Sequence, residues 1–181
     1  MSIPDRAGAA WVTGGSGAGR GSMLALGDRI VEAAEAHLGA AVSPRPTDLL
    51  CEGVPVLSRG DAWIVPLTYR QPVSEPEEEE HRRRAGELWR GIRGACEFRH
   101  GAGLSVDLEG DAPNAYVSAL RAQGARRADW WSSGRKALVL VTQEEPAPAS
   151  ALHVVPLGWV SQVSPSRRIR AVDLSWHPGT G

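Results

Sequence analysis

The stretch "RRADWWSSGRKALVLVTQ", residues 126–143, joins two adjacent tryptophans among four cationic side chains to a run of aliphatic residues. Its second part, "KALVLVTQ", is β-branched and aliphatic and reads as a strand. The first part has two readings. Arg126, Arg127, Arg135 and Lys136 with Trp130 and Trp131 combine cations with stacking faces, the mixture that single-stranded nucleic-acid sites use. The chain also has seven tryptophans and a single phenylalanine, so indoles must supply most of its aromatic core. We therefore read residues 126–136 as a helix-to-strand connection that closes over the core. Successive residues of an extended connection point to opposite sides, so one indole is expected inside and its neighbour outside. The six residues together form the candidate interaction surface.

Downstream, "ALHVVPLGWVSQV" and "RRIRAVDLSW" read as further strands, joined by the proline-rich "EEPAPAS" and by "SPS", and "HPGTG" frays. Upstream, Asp111 is placed to cap a helix with Pro113 in its first turn. That helix buries Tyr116, Val117 and Leu120 and stops at Gly124. Before it, Cys96, Phe98 and His100 alternate like a strand, as do Leu104, Val106 and Leu108, with "HGAG" between them as a hairpin turn. "SEPEEEEHRRRAGELWRGIRGA" carries the strongest helix signal. Ser74 can cap it, Pro76 suits the first turn, and the glutamates sit at the positive end of the helix dipole. Glu78, Glu79 and Glu80 each precede an arginine by four residues, and His81, Ala85, Leu88, Trp89 and Ile92 mark the buried stripe.

The N-terminal part divides more simply. Residues 1–22 are rich in Gly, Ala and Ser without helical or strand period and read as a flexible arm. "GAGRGS" within the arm lacks the preceding strand and the lysine of a phosphate loop. Met23 follows and is a candidate native start. Leu26, Ile30, Ala33, Ala34, His37 and Leu38 then recur at helical spacing, and Gly39 is placed to end that helix. "DLLCEGVPVLSRGDAWIVPLTYR" reads as three short antiparallel strands, with Pro55 and Pro66 confined to edges or bulges. The expected fold is α+β: a single compact domain over residues 23–176, about three helices and six to eight mostly antiparallel strands, with a frayed tail at 177–181.

Composition narrows the function classes. At 181 residues with 42% hydrophobic and 23% charged residues, the chain matches a globular domain rather than a collagenous, membrane-spanning or wholly disordered one. No apolar run approaches the ~20 residues of a bilayer helix and no signal peptide opens the chain, so a cytoplasmic protein without membrane contact is expected. Nineteen arginines to one lysine suggest a high-GC bacterial coding sequence. The net charge of −1 conceals an imbalance, with −5 over residues 1–114 and +4 over residues 115–181. Cys51 and Cys96 imply no disulfide framework.

Chemistry-bearing groupings are few. Asp107, Glu109 and Asp111 are spaced by two, which in a strand sets three carboxylates on one face where they can hold a divalent cation. The same spacing describes a half-buried strand, and Asp111 already has a capping role. Cys96 and His100 lie four apart, but zinc requires a third and fourth ligand that no second Cys/His pair supplies. No GxSxG, HExxH or GxGxxG is present. No cofactor is implied. The leading functional expectation is a non-catalytic bacterial cytoplasmic protein–protein interaction domain, an adaptor, regulator or assembly subunit, whose partner is another protein such as one encoded by an adjacent gene. The first alternative is a nucleic-acid-associated protein using the basic, tryptophan-rich C-terminal third. The second is a metal-dependent hydrolase centred on Asp107, Glu109 and Asp111.

Overall fold

The computed structural model describes residues 20–36, 50–51, 54–67, 74–109, 114–143, 149–160 and 174. In chain order the elements are α1 (Arg20–Ala36), β1 (Leu50–Cys51), β2 (Val54–Pro55), β3 (Leu57–Arg59), β4 (Ala62–Pro66), α2 (Glu75–His100), β5 (Leu104–Asp107), α3 (Ala115–Ala122), β6 (Ala125–Ser133), β7 (Lys136–Gln143) and β8 (Ala149–Pro156). A 3₁₀ turn, Leu157–Trp159, follows β8. The fold is α+β, with one antiparallel sheet in the order β3-β4-β8-β7-β6-β5 and a separate β1-β2 ladder. Strands β4 to β8, each of four or more residues, carry the sheet. Among the described residues five strands are substantial, against the six to eight expected, because β1, β2 and β3 amount to two or three residues each.

Strict alternation in the central strands explains why helices cover both faces. Along β7, Leu138 and Leu140 point to one side, and Ala137, Val139 and Val141 to the other. Along β8, Leu152 and Val154 oppose Ala151 and Val155 in the same way. Both sets are buried, so neither face is left to water. Each fully buried aliphatic side chain of this kind contributes about 1.5–3 kcal/mol. Helices α1 and α2 pack on the first face through Ile30, Val31, Leu88, Ile92 and Cys96, and α3 packs on the second through Tyr116, Val117 and Leu120. Where α1 crosses α2 the backbones touch, and a Cβ on Gly27 would stand 2.7 Å from the Gly91 carbonyl carbon.

Several sequence expectations require correction. Residues 126–133 are not a connection but most of β6, which pairs with β7 from Ser133↔Lys136 to Arg127↔Thr142. Gly134, with φ of 58°, takes the left-handed conformation that this tight hairpin needs. Cys96, Phe98 and His100 are not a strand; they complete α2, whose apolar stripe runs on from Leu88 and Ile92 through Ala95 and Cys96. Their period of two is an accident within a period of 3.6. Asn114 caps α3, accepting the Val117 N–H at 3.0 Å, in the role expected of Asp111. Helix α1 begins at Arg20, inside the stretch read as the flexible arm. Two ladders, β1-β2 and β3-β4, replace the expected three strands before α2.

Other expectations match the structure. Ser74 stands at the N-cap of α2 with Pro76 in the first turn, although the serine side chain makes no capping bond. The expected Glu80–Arg84 pair forms at 2.6 Å, whereas Arg83 pairs with Glu80 at 2.7 Å and with Glu87 at 2.8 Å instead of with Glu79, and Arg82 reaches Glu79 at 3.0 Å. The two arginines hold the Glu80 carboxyl down to about 2, chiefly through their hydrogen bonds. Pro66 is tolerated for a geometric reason. The Leu67 N–H donates to the Ser150 carbonyl at 2.8 Å, so the Pro66 nitrogen, one residue earlier, points away from β8 and past the end of β3. His37, Leu38, Gly39, Asp111, Pro113 and "RRIRAVDLSW" apart from Leu174 lie outside the described residues.

Candidate functional site

The feature most open to another molecule is the outer edge of β5. Helix α2 stops when the Gly101 N–H returns to the Glu97 carbonyl at 2.9 Å, and the chain then crosses the buried Trp131. A Cβ at Gly103 would lie 2.5 Å from that indole, so only glycine lets the strand start here. Strand β5 pairs with β6 from Leu104↔Trp130 to Asp107↔Arg127. The Leu108 N–H donates to the Arg126 carbonyl at 2.8 Å, which fixes the alternation of the ladder. The backbone groups of Leu104, Val106 and Leu108 therefore point toward β6, and those of Ser105 and Asp107 point outward. Among the described residues no strand pairs with that outer side.

Side chains hold this edge in place from beneath. Asp129 of β6 is buried on the α2 side of the sheet and accepts the Ser105 hydroxyl. Arg127 donates to Ser105 Oγ at 3.1 Å and approaches Asp129 Oδ1 at 3.5 Å, while Arg93 of α2 stands 4.0 Å from Asp129 Oδ2. Arg93 also bonds Glu97 at 3.0 Å and lies 5.4 Å over the Trp89 ring. The carboxylate is thus ringed by donors and locks β5, β6 and α2 together. Around this anchored edge two apolar side chains face water. Leu104 is 57% exposed on β5, and Phe98 is 91% exposed in the last turns of α2, from which β5 departs.

The six residues singled out from sequence do not converge. Trp131 is buried under α1 and α2, and Trp130 is half-buried on the opposite, α3 side. The two indoles therefore cannot form one stacking platform. Arg126 and Arg127 stand near one end of β6, while Arg135 lies in the hairpin turn at the other and Lys136 opens β7. Arg127 and Ser133 lie six residue steps apart along the strand, about 20 Å. The Arg135 carbonyl accepts the Leu157 N–H at 2.9 Å, so that turn also fastens the 3₁₀ segment.

The other candidates have structural partners of their own. Asp107 and Glu109 are exposed, and the Glu109 N–H donates to Asp107 Oδ1 at 2.9 Å; Asp111 lies outside the described residues. Among the described residues no three His, Cys, Asp or Glu side chains are grouped so as to hold a metal ion. Cys96 is buried, and loss of solvation, with the charge of Glu35 adding to it, pushes its thiol up to about 12. Such a thiol is not a nucleophile at neutral pH. His100 is engaged by Glu35 of α1, and Arg99 reaches Glu35 and Asp28, both at 3.1 Å.

Sequence reasoning missed Leu104, Phe98 and Asp129, and also a buried polar pair on the α3 side. The Tyr116 hydroxyl meets His153 Nδ1 at 3.0 Å, with Trp159 packed 5.5 Å from the tyrosine ring. Burial alone drives the His153 imidazole down to about 3 and raises the Tyr116 phenol, so both are neutral. His153 Nε2 is buried without a hydrogen-bond partner among the described residues. Asp129 carried a signal of its own, since a strand reading of 125–133 sets a carboxylate on the same face as Trp131. Among the described residues no helix is long and apolar enough to cross a membrane. No protein-family model, curated protein or solved structure matches this chain.

Proposed function

We propose that this chain is a non-catalytic, cytoplasmic protein–protein interaction domain, an adaptor or assembly subunit, and that it makes its contact by strand addition at the outer edge of β5. The observation that carries the proposal is the anchored edge, unpaired among the described residues, with Leu104 exposed on it. A fixed row of outward N–H and C=O groups is a ready template for another strand, and main-chain bonds with a few side-chain anchors suffice for affinity. The opposite edge contrasts with it: β3 is three residues long, follows closely on Pro55 and ends in Arg59, which are features that discourage pairing. A catalytic reading gains no comparable support, because the buried thiol, histidine and carboxylate are each shielded or already bonded.

The test uses the immobilised full chain and its Leu104→Lys variant, each offered the chain itself and the purified products of adjacent genes. At least one of these proteins should bind the wild type and bind the variant at least about tenfold more weakly, a difference of ~1.4 kcal/mol. Leu104 is exposed, so the variant should melt with the wild type. Binding that the substitution leaves unchanged would remove β5 as the contact surface.

A further inference from the structure

We infer that the strand received by β5 is β5 of a second copy, in an antiparallel pair centred on Ser105. This rests on the β5 edge being the contact surface and adds the identity of its occupant. The argument begins from two alternations that the structure fixes independently. Outward backbone groups belong to the odd residues, Ser105 and Asp107, because the even ones are spent on β6. The even side chains, Leu104 and Val106, lie on the α3 face of the sheet, opposite Trp130 and Ala128, and the odd side chains lie on the α2 face.

When an antiparallel pair continues a sheet about a two-fold axis perpendicular to it, directly opposed residues share a face. An even residue must then oppose an even one. Centring the pair on Ser105 meets this condition and sets Ser105 against its own counterpart as a hydrogen-bonded pair, with Asp107 against Gly103 on either side. Every outward N–H and C=O of β5 then faces a complementary group. The closer, non-bonded positions bring Leu104 of each copy against Val106 of the other, joining the exposed leucine to a half-buried valine.

Neighbouring registers are worse for stated reasons. Centring on Asp107 would oppose two carboxylates, a destabilising like-charge pair. Centring on Val106 would turn Leu104 toward Leu108, which is already buried beneath the sheet. Centring on Leu104 leaves Asp107 facing Gly101, whose N–H is committed to Glu97. Only the Ser105 register uses the whole edge. Four residues on each side make a small interface, so the dimer should be weak and concentration-dependent.

The experiment combines sedimentation velocity and site-directed cross-linking on the full chain. From micromolar to near-millimolar concentration, the wild type should shift reversibly from monomer to dimer. Asp107→Pro removes an outward N–H without touching the β6 ladder and should weaken the dimer about tenfold. For register, a Cys51→Ser background carrying either Leu104→Cys or Val106→Cys should cross-link under mild oxidant only when the two variants are mixed, because residue 104 faces residue 106. A wild type that stays monomeric throughout would overturn the inference, as would cross-linking of either variant alone in preference to the mixture. If self-association fails while a different protein still binds the wild type and not Leu104→Lys, the occupant is a foreign strand, and the interaction-edge reading stands without this inference.

Discussion

The two faces of the sheet solve the problem of burial differently. Under α1 and α2 the sheet offers Trp63, Val65, Leu67, Trp131, Leu138, Leu140 and Leu152, large side chains that fill a deep layer by shape. Under α3 it offers mainly alanines and valines, including Ala62, Ala125, Ala128, Ala137 and Ala151, and the space they leave is taken by Tyr116 and His153. The first face depends on packing with little polar chemistry in its centre. The second holds a buried tyrosine–histidine pair whose stability is tied to protonation. The adjacent indoles Trp130 and Trp131 sample both faces, one residue apart.

The largest expected effect is therefore on the first face. Truncating Trp131 to Ala should cost about 3–5 kcal/mol, near the whole stability of a marginal domain. Its indole Nε1 has no hydrogen-bond partner among the described residues, so the loss is one of volume and of the contact with Gly103. Chemical denaturation should show a lower midpoint with an unchanged slope. A cost below about 1 kcal/mol would mean that Trp131 does not fill this layer.

The second face should declare itself through pH. His153 has its folded pKa depressed to about 3 from the ordinary 6.5, so the folded state disfavours the proton that the unfolded chain accepts. Its full contribution is present above pH 6.5 and declines as pH falls toward 3. The slope is about 1.4 kcal/mol per unit, or about 2 kcal/mol by pH 5. This window lies above the one set by Glu80, whose depressed carboxyl loses its contribution only as pH drops from 4.5 toward about 2. Denaturation series between pH 7 and 5 should show the decline in the wild type and a flatter profile in His153→Leu. Matching profiles would place the titration elsewhere.

Legibility in the sequence followed the same division. Strand β7 and helices α2 and α3 could be read because their patterns are local: the aliphatic run Ala137 to Val141 is buried on both faces, and Leu88, Trp89 and Ile92 mark a helical stripe. Helix α2 was read too short because Cys96, Phe98 and His100 satisfy period two as well as helical continuation, and only packing against Glu35 and Asp28 of α1 decides between them. Strand β6 was obscured by its polar residues. Arg126, Arg127 and Asp129 resemble a loop until Ser105 and Arg93, distant in sequence, supply partners for the aspartate. The candidate edge was illegible for a related reason, since edge position is a property of strand order, which no single strand encodes. Leu104 looked like an inward residue in an alternating run, yet it is exposed where, among the described residues, no strand follows β5 in the sheet.

The smallest expected effect tests whether the two faces are truly unequal at the point where they meet. Trp130 is half-buried and packs at the margin of the α3 layer, standing opposite Leu104 of β5, toward which its backbone groups point, and opposite Val139 of β7. Truncation to Ala leaves the strand ladders intact and removes only part of a buried surface, so it should cost about 1–2 kcal/mol, well under the Trp131 change. The comparison needs both variants measured under one condition, at pH 7, where His153 contributes fully. It gains a second readout from fluorescence, because removing Trp131 should delete a shielded emitter and removing Trp130 a more quenchable one. Equal costs and equal quenching would show that the indoles share an environment, which would contradict their assignment to opposite sides of β6 and with it the alternation on which the β5 edge was derived.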